Sequence, residues 1–431
     1  MAIKAGQIIH DVNGYVIDRI QTGGPGSLNI PEEKIYELGN YNSVAIVRDI
    51  PDLSFDLESL DVSTEFESVL LDKTPLWDSG TTDEFDFNLS VPIDVASPFK
   101  STKGQFDIVK GLIVPCLSLE RVTYRYGVRQ NATQQFTLRG DSIYYCPGVP
   151  HYETFSYNGS ANQAKTFTFN GSNGTAAIAF TEQGDTIYAL SVTLVNSTTG
   201  AYKRLFFGEY TNTTTGFTIV DAHAGYDKVR VMYASNATDT VYPQAGPVVG
   251  GPQADISGGN THQGISVKPA AVRGKDIEVY IGATGATPNW EKFRGVQTAE
   301  ITRSVNLTND EELGNHHYVA QDYLTPDVRG SLGVKPYDMN QLWDQLEKIT
   351  GVTSGEVIGP QLAVACQVKI RILDPDNGNV LKAVYVPDAR FQVPGMAGRA
   401  NQKVETTFTF SSDGGNITVY DGSNTAGISV S

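Results

Sequence analysis

The stretch ELGNYNSVAIVRDIPDL, from Glu37 to Leu53, occurs a second time as ELGNHHYVAQDYLTPDV, from Glu312 to Val328. The two copies align without a gap at a constant separation of 275 residues (312 − 37). The identical pairs are Glu37/Glu312, Leu38/Leu313, Gly39/Gly314, Asn40/Asn315, Val44/Val319, Ala45/Ala320, Pro51/Pro326 and Asp52/Asp327. An internal repeat of this kind predicts that one structural unit is present twice in the chain.

Weaker similarity continues on both sides of the repeated stretch. Val296-Gln297-Thr298 corresponds to Ile20-Gln21-Thr22 and, near the other end, Thr406–Phe410 corresponds to Gln135–Leu138. We therefore expect three domains: a first repeat over residues 1–156, an insertion over 157–264 and a second repeat over 265–431. A length of 431 residues accommodates three domains of ordinary size.

The residue pattern of the repeats is typical of a mainly β fold. Leu53, Phe55 and Leu57 alternate with Ser54, Asp56 and Glu58, which predicts a strand with one buried and one polar face. Apolar stripes at helical spacing predict one short helix in each repeat, over residues 63–71 and 339–349. Gly23-Gly24-Pro25-Gly26 is expected to be a flexible turn, since no helix start or Lys-Ser/Thr follows to make it a phosphate loop.

The insertion has its own pattern of short strands separated by Thr/Asn/Gly turns. This spacing predicts an immunoglobulin-like β-sandwich that faces outward from the rest of the molecule. The strand-like segments are 165–169, 176–180, 187–195, 204–210, 217–220 and 228–233.

Composition excludes several classes of function. The chain has 32 Lys and Arg against 48 Asp and Glu, a formal net charge of −16. A surface that grips nucleic acid is expected to be basic, so this balance argues against it. The first residues have no apolar signal segment, and no run of about 20 apolar residues predicts a membrane span.

No catalytic or metal-binding pattern is found, so we expect a protein that is not an enzyme and has no cofactor. Cys116, Cys146 and Cys366 are too scattered for a zinc site or a disulfide framework and are expected to be reduced and mostly buried. His316 and His317 are neighbours on an expected strand, so they point to opposite faces and favour an interface role over a shared metal.

Two further motifs have structural explanations. Asp78-Ser79-Gly80-Thr81 resembles the aspartic-protease tripeptide, but the second repeat has Thr353-Ser354-Gly355 there and lacks the partner carboxylate. The stretch from Asp374 to Asn379 resembles a calcium loop, but Asn379 stands where that motif needs glycine and Tyr385 where it needs an acid. A hairpin turn is the better prediction.

Both repeats resemble the tail tube, or major tail, proteins of tailed viruses of bacteria or archaea. The resemblance rests on RIQTGGPG (19–26), EKIYELGN (33–40) and VRDIPDLSFDLESLDV (47–62), and in the second repeat on RGVQTAEITRSVN (294–306), EELGN (311–315), TPDVRGSLGV (325–334) and VPDARFQVPGMAGRANQKVETTFTF (386–410). It does not cover the middle of the chain.

The resemblance implies two tandem β-sandwich or barrel domains, each with a short flanking helix, whose sheets join edge to edge around a ring. Two such domains in one chain imply trimeric, pseudo-hexameric rings that stack into a tube, with three insertions outside each ring. This favours a non-contractile tail in the virion, assembled in the host cytoplasm. Implied partners are further copies of the chain, a tape measure protein, passing DNA bound without sequence specificity, a tail terminator and distal tail proteins.

Specific residues are expected at two positions in such a tube. Asp56 and Glu58 lie on the polar face of their strand and are candidates for the lumen, where a wall that does not bind phosphate would let DNA pass. The candidate ring or stacking interface residues flank the repeated motif and are Glu37, Asn40, Tyr41, Glu312, Asn315 and His316.

Two other functions remain open. A β-sandwich adhesin or decoration protein on a virion or cell surface would use the insertion to bind carbohydrate and would form monomers or small oligomers. A tube protein of a contractile injection system would share the ring but is usually a single-domain chain.

Overall fold

The computed structural model describes most of both repeats and of the insertion. The described residues are 10–13, 15–17, 20–35, 45–70, 84–87, 92–100, 108–158, 165–169, 177–182, 185–196, 199, 201–206, 208–235, 271–283, 289–312, 317–337, 339–350, 365–392, 405–412 and 414–430. They form a mainly β protein with short helices, as the sequence predicts. We call residues 10–148 the N-terminal half, 149–235 the insert and 271–430 the C-terminal half.

The elements of the N-terminal half are β1 (Asp11–Val12), β2 (Tyr15–Val16), β3 (Ile20–Asn29), β4 (Glu32–Ile35), β5 (Ala45–Arg48), β6 (Asp52–Leu60), α1 (Glu65–Leu70), β7 (Glu84–Asp86), β8 (Ile93–Lys100), β9 (Ile108–Gly127), β10 (Thr133–Gly140) and β11 (Tyr144–Cys146). Those of the insert are β12 (Val149–Ser156), β13 (Lys165–Thr168), β14 (Phe180–Glu182), β15 (Asp185–Ile187), β16 (Ala189–Val195), β17 (Tyr202–Leu205), β18 (Tyr210–Thr213), β19 (Gly216–Ile219) and β20 (Lys228–Ser235).

The C-terminal half begins with a single 3-10 turn, Gly274–Asp276. Its further elements are β21 (Ile277–Ala283), β22 (Glu291–Lys292), β23 (Val296–Asp310), β24 (Ala320–Val334), α2 (Met339–Thr350), β25 (Ala365–Leu373), β26 (Val380–Phe391), β27 (Thr406–Ser412), β28 (Thr418–Asp421) and α3 (Thr425–Ile428).

Alternation along β6 forms one wall of the main core. Leu53, Phe55 and Leu57 are fully buried, while the residues between them are half-buried on the other face. A strand turns successive side chains to opposite faces, so this pattern follows directly from the sequence. Buried residues of both halves continue the same apolar cluster, so the halves share one core.

The pairing of β3 with β6 matches that of β23 with β24. Thr22 lies opposite Glu58 with a bulge before it, and Thr298 lies opposite Gly333 with a bulge at the corresponding place. Farther along, Glu32 pairs with Arg48 in the hairpin β4–β5. Leu307 and Tyr323, each 275 residues later in the sequence, pair in the same way. The repeated ELGN motif therefore lies between the arms of a long hairpin in each half.

The flexible turn expected at Gly23–Gly26 is wrong, because these residues are part of β3. Pro25 lies opposite Phe55 on β6, and the ladder has an irregularity between Pro25 and Ser27. Proline cannot donate to a ladder and is accommodated at bulges or on edge strands. β3 pairs with β6 alone among the described strands, so it can contain this proline.

The helices have the apolar spacing that the sequence predicts. Phe66 and Leu70 are both buried on α1, and Phe66 stacks on Phe136 of β10 with ring centroids 4.2 Å apart. Leu346 and Ile349 are the buried residues of α2 that correspond to the predicted stripe. The Asp374–Asn379 stretch is the turn between β25 and β26, as expected, and the Asp374 amide donates to the Asn379 carbonyl.

The insert consists of two main sheets that share an apolar core. One sheet has the order β12-β20-β16-β17 and the other the order β13-β19-β18. Their shared core includes Phe217 and Ile219 from one sheet and Val192, Leu194 and Val231 from the other. The predicted strand segments are thus mostly present, and the sheet already begins at β12.

A second, smaller apolar cluster attaches the insert to the N-terminal half. Ala96, Ile113 and Cys146 of that half pack in it with residues such as Leu190 and Met232 of the insert. Because β12 follows β11 after a short turn, the insert lies directly on the sheet that it interrupts.

Candidate assembly interface

The two halves join edge to edge through β9 and β23. Their ladder runs antiparallel from Thr298 opposite Gly127 to Ser304 opposite Arg121. It connects the sheets of both halves into a sheet of seventeen described strands. An edge strand exposes unpaired amide and carbonyl groups, and this joint satisfies them with a strand from the same chain.

A second ladder crosses between the halves on the side of the helices. β7, which follows α1, pairs with β28 so that Phe85 lies opposite Val419. The Thr64 hydroxyl, next to the start of α1, donates to Asp421 Oδ2 at 2.6 Å. The segment from α1 to β7 thus completes the sheet of the opposite half.

A buried ion cluster lies where α1 meets β26. Lys382 Nζ is 2.6 Å from Asp61 Oδ1, also contacts Glu67 Oε1, and donates to Gln134 Oε1 at 2.9 Å. All three charged side chains are inaccessible to solvent. An ammonium group has three hydrogens to donate, and here three acceptors surround it.

Two tyrosines complete the coordination of the carboxylates. Tyr124 donates to Glu67 Oε1 at 2.9 Å, and Tyr126 donates to Asp61 Oδ2 at 2.7 Å. Lys382 belongs to the C-terminal half, and its charged and hydroxyl partners belong to the N-terminal half. The cluster therefore fixes one relative position of the halves, since a shift would leave buried charges without partners.

The charges in this cluster alter one another's ionisation. Burial raises the pKa of Glu67, and the neighbouring charge of Asp61 adds to this effect against the opposing charge of Lys382. Burial alone would lower the pKa of Lys382, but the carboxylates of Asp61 and Glu67 outweigh it and hold that pKa above its ordinary value. Lys382 is thus charged at neutral pH.

A second buried charge joins all three parts of the molecule. Asp141, after β10, lies 2.8 Å from the guanidinium of Arg204 in the insert and accepts from the Tyr318 amide of the C-terminal half at 2.7 Å. His317 Nδ1 lies 2.9 Å from the Ser142 hydroxyl oxygen. Burial alone would raise the pKa of Asp141, but Arg204 and these neighbours hold it far below its usual range.

The candidate lumen residues Asp56 and Glu58 lie on the half-buried face of β6, opposite the core. Asp56 accepts from the Thr137 hydroxyl at 2.7 Å, and Glu58 accepts from the Thr22 hydroxyl at 3.1 Å. Their face is polar and continues across β10, β9, β23 and β24 into the C-terminal half. The ladder registers thus place Asp56 and Glu58 on one polar surface that spans both halves.

This polar face carries charges of both signs. Arg125 lies 3.7 Å from Glu300 across the β9–β23 joint, and both side chains are about half exposed. Arg329 lies 2.7 Å from Asp327 on β24. Each of these arginines therefore has a carboxylate beside it, which reduces its attraction for other anions.

Most of the candidate interface residues of the repeated motif lie outside the described residues. These are Glu37, Asn40, Tyr41, Asn315 and His316. Glu312 is described and is exposed at the end of the C-terminal hairpin. His317, next to the motif, contacts Asp141 and Ser142 of the N-terminal half, so it lies at an interface within the chain.

No metal-binding group is found in the described part of the chain: no three His, Cys, Asp or Glu side chains converge there. Cys116, Cys146 and Cys366 are free thiols, and Cys146 and Cys366 are buried. Burial raises the pKa of the Cys146 thiol to about 11. None of the described helices has the length and apolar character needed to cross a bilayer.

The ion cluster was not identified from the sequence, although a signal for it exists. Lys382 interrupts the apolar run VLKAVYV of β26. A lysine in such a run is buried only if it has a carboxylate partner. The sequence does not show which carboxylates these are, because Asp61 and Glu67 precede Lys382 by more than 300 residues.

Comparisons with known proteins give structural similarity alone. No family model matches the chain, and no curated protein matches it. The chain is similar to a solved chain titled as the tail of an empty gene transfer agent particle with C6 symmetry, with 17% identity and a TM-score of 0.22, covering 33% of this chain and 96% of that one. A chain from a native gene transfer agent virion matches with 15% identity and a TM-score of 0.22, covering 33% and 95%. A chain from the six-fold symmetrised baseplate of the anti-feeding prophage matches with 13% identity and a TM-score of 0.26, covering 36% and 98%.

Proposed function

We propose that this chain is a structural subunit of a viral tail tube, in which two copies of one β unit per chain form trimeric, pseudo-hexameric rings. The observation that carries the proposal is the edge-to-edge joint of β9 with β23. It joins two similar sheets side by side, which is the contact that a closed ring of such sheets repeats.

The matching edge in the N-terminal half supports a ring of several chains. β3 corresponds to β23 in its pairing, yet its outer side is exposed, and β6 is its sole partner among the described strands. A second chain in the same orientation can use this edge as β9 uses β23. Head-to-tail contacts of this kind close into a ring if the rotation is right.

Stacking of rings is assigned to the two hairpins that contain the repeated motif. Ile35 and Ile46 are exposed on the arms of β4 and β5, on a hairpin that pairs with no other described strand. Exposed apolar side chains on such an arm favour contact with another subunit. The hairpin tips, including Glu37 and Glu312, then meet the neighbouring ring.

The continuous polar face is assigned to the lumen, with Asp56 and Glu58 on the wall. Its arginines are accompanied by acids, so a passing DNA phosphate meets few uncompensated cations. The insert packs on the other side of the N-terminal sheet and projects outward from the ring. The ring conducts the genome, and the chain carries no catalytic role.

Electron microscopy of the purified full chain tests this function. We expect rings or stacked tubes with three outer projections per ring, and a ring mass of three chains. In a reconstruction, Asp56 and Glu58 face the central channel. A protein that stays monomeric over a range of concentration and salt overturns the proposal and favours an adhesin or decoration protein.

A further inference from the structure

β11 in the N-terminal half corresponds to β28 in the C-terminal half. Tyr144 of β11 pairs with Ile113, and Thr418 of β28 pairs with Tyr385. The partners Ile113 and Tyr385 stand 272 residues apart in the sequence (385 − 113), and the paired residues stand 274 apart (418 − 144). The two strands therefore occupy matching places in their sheets.

The outer sides of these two strands differ. β28 has β26 on one side and β7 on the other. β11 pairs with β9, and no other described strand lies beside it. The C-terminal half thus receives a strand that the N-terminal half does not.

Side-chain exposure shows the effect of the added strand. The middle residue of β28, Val419, is 0% exposed, whereas the middle residue of β11, Tyr145, is 72% exposed. The neighbours of Tyr145 on the strand, Tyr144 and Cys146, pack against the insert's apolar cluster. Tyr145 points to the other face, so the insert does not cover it.

The structure also shows what kind of element fits beside β11. β28 is covered by the segment that follows α1, whose residues Phe66 and Leu70 are buried. The helix at the corresponding place in the C-terminal half is α2, which leaves Trp343 41% exposed, and Tyr337 just before it is 80% exposed. These aromatic side chains form an apolar surface beside the one helix that has no further half of the chain to cover.

We infer that the edge of β11 accepts a strand from the C-terminal half of a second copy of this chain, and that this contact buries Tyr145. The inference rests on the proposed ring and specifies one of its contacts. It repeats between chains the exchange that β7 and β28 make within one chain. The added strand supplies main-chain hydrogen bonds, and Tyr145 supplies apolar contact.

The experiment compares assembly of the full chain with that of Tyr145→Asp, which places a charge at the contact. Val220→Asp is the matched control, because Val220 is a 42% exposed apolar residue on the insert, away from β11. We expect Tyr145→Asp to raise the concentration needed for ring formation at least tenfold, and Val220→Asp to leave it unchanged.

Hydrogen exchange of the unmodified protein gives a second measurement that does not depend on the variant's folding. Amides of β28 exchange slowly in both the single chain and the ring, since β7 already covers them. Amides of β11 exchange quickly in the single chain and slow down at least tenfold in the ring.

The outcomes separate the two proposals. Rings that form normally from Tyr145→Asp, with β11 amides equally fast before and after assembly, overturn the β11 contact and leave the tube function standing. Failure of the unmodified chain to form rings overturns both.

Discussion

Lys382 Nζ and Asp61 Oδ1 lie 2.6 Å apart, although 321 residues separate them in the sequence. Neither side chain is accessible to solvent. The pair belongs to opposite halves of the chain, so it links the conformation of one half to that of the other. A buried pair of this kind is costly to break, because each charge depends on its partner.

Replacing Lys382 by methionine is expected to destabilise the protein by about 3–5 kcal/mol, since Asp61 and Glu67 remain buried without a cation. Urea unfolding followed by circular dichroism measures the change. Lys292→Met is the control, because Lys292 makes a similar bond to Glu278 at 2.8 Å with half of its side chain exposed. Loss of that pair is expected to cost less than about 1 kcal/mol.

A triple variant separates loss of charge from loss of packing. Asp61→Asn and Glu67→Gln together with Lys382→Met remove all three charges and are expected to recover much of the lost stability. A triple variant that is less stable than Lys382→Met would contradict the interpretation of the cluster as an electrostatic link.

Stability is expected to fall with acid because of His10. Burial lowers the pKa of His10 to about 4, and its Nδ1 lies 3.0 Å from the Ser97 hydroxyl oxygen. A lowered histidine pKa contributes stability above the unfolded pKa of about 6.5, and this stability is lost as pH falls towards 4. Between pH 7 and pH 5 the loss is about 2 kcal/mol.

The measurement compares the free energy of unfolding of the protein and of His10→Gln at both pH values. The difference between the two losses isolates His10 from other groups. Glu67 acts in the opposite direction, since its raised pKa means that stability is lost as pH rises through that pKa. Equal losses for both proteins would exclude His10 as the source.

Gly330 is expected to tolerate no larger residue while Phe410 is present. A Cβ atom at Gly330 would lie 2.0 Å from the ring of Phe410, its partner across the β24–β27 ladder. Gly330→Ala is therefore expected to cost about 1–3 kcal/mol, as overpacking does. In the N-terminal half the matching pair is Phe55 opposite Leu138, with the large residue on the other strand.

This exchange of sizes provides a rescue. Phe410→Leu combined with Gly330→Ala is expected to be more stable than the sum of the two single changes predicts. Thermal unfolding of the four proteins of this cycle measures the coupling. Additive effects would show that the ring and the glycine do not depend on each other.

Asp141→Asn is expected to loosen the contacts among the insert, the N-terminal half and the C-terminal hairpin. The change leaves the buried guanidinium of Arg204 without its counter-charge, at a cost of about 3 kcal/mol or more. Hydrogen exchange should accelerate in β17 and around Tyr318 together. Asp327→Asn, at an exposed pair with Arg329, serves as the control and should change neither region.

Local patterns predicted the elements of the fold well where side chains alone decide them. The alternation of Leu53, Phe55 and Leu57 gave the burial of β6, and the repeat gave two hairpins with the same register. The Gly-Pro stretch 23–26 was predicted as a turn because turn residues are judged by their local preference. In β3 the edge position removes the penalty for proline, and that depends on tertiary structure.

The contacts that join the halves could not be predicted from local patterns. β7 lies in an acidic, turn-rich region and becomes a strand by pairing with β28. Lys382 and its partners are chemically matched, but many lysines and acids in the chain could form such a set. The lumen assignment of Asp56 and Glu58 and the interface assignment of the repeated motif stay predictions for the assembled particle.

The long separation within the ion cluster also sets an order of events during synthesis. A ribosome that adds 5–20 residues per second completes Lys382 roughly 15 to 60 s after Asp61. During that interval the N-terminal half has its acids in place without their cation, while the insert, whose contacts lie within one continuous segment, is already complete. The N-terminal half therefore reaches its final form last, and a chain truncated before β26 is a natural substrate for chaperones and proteases.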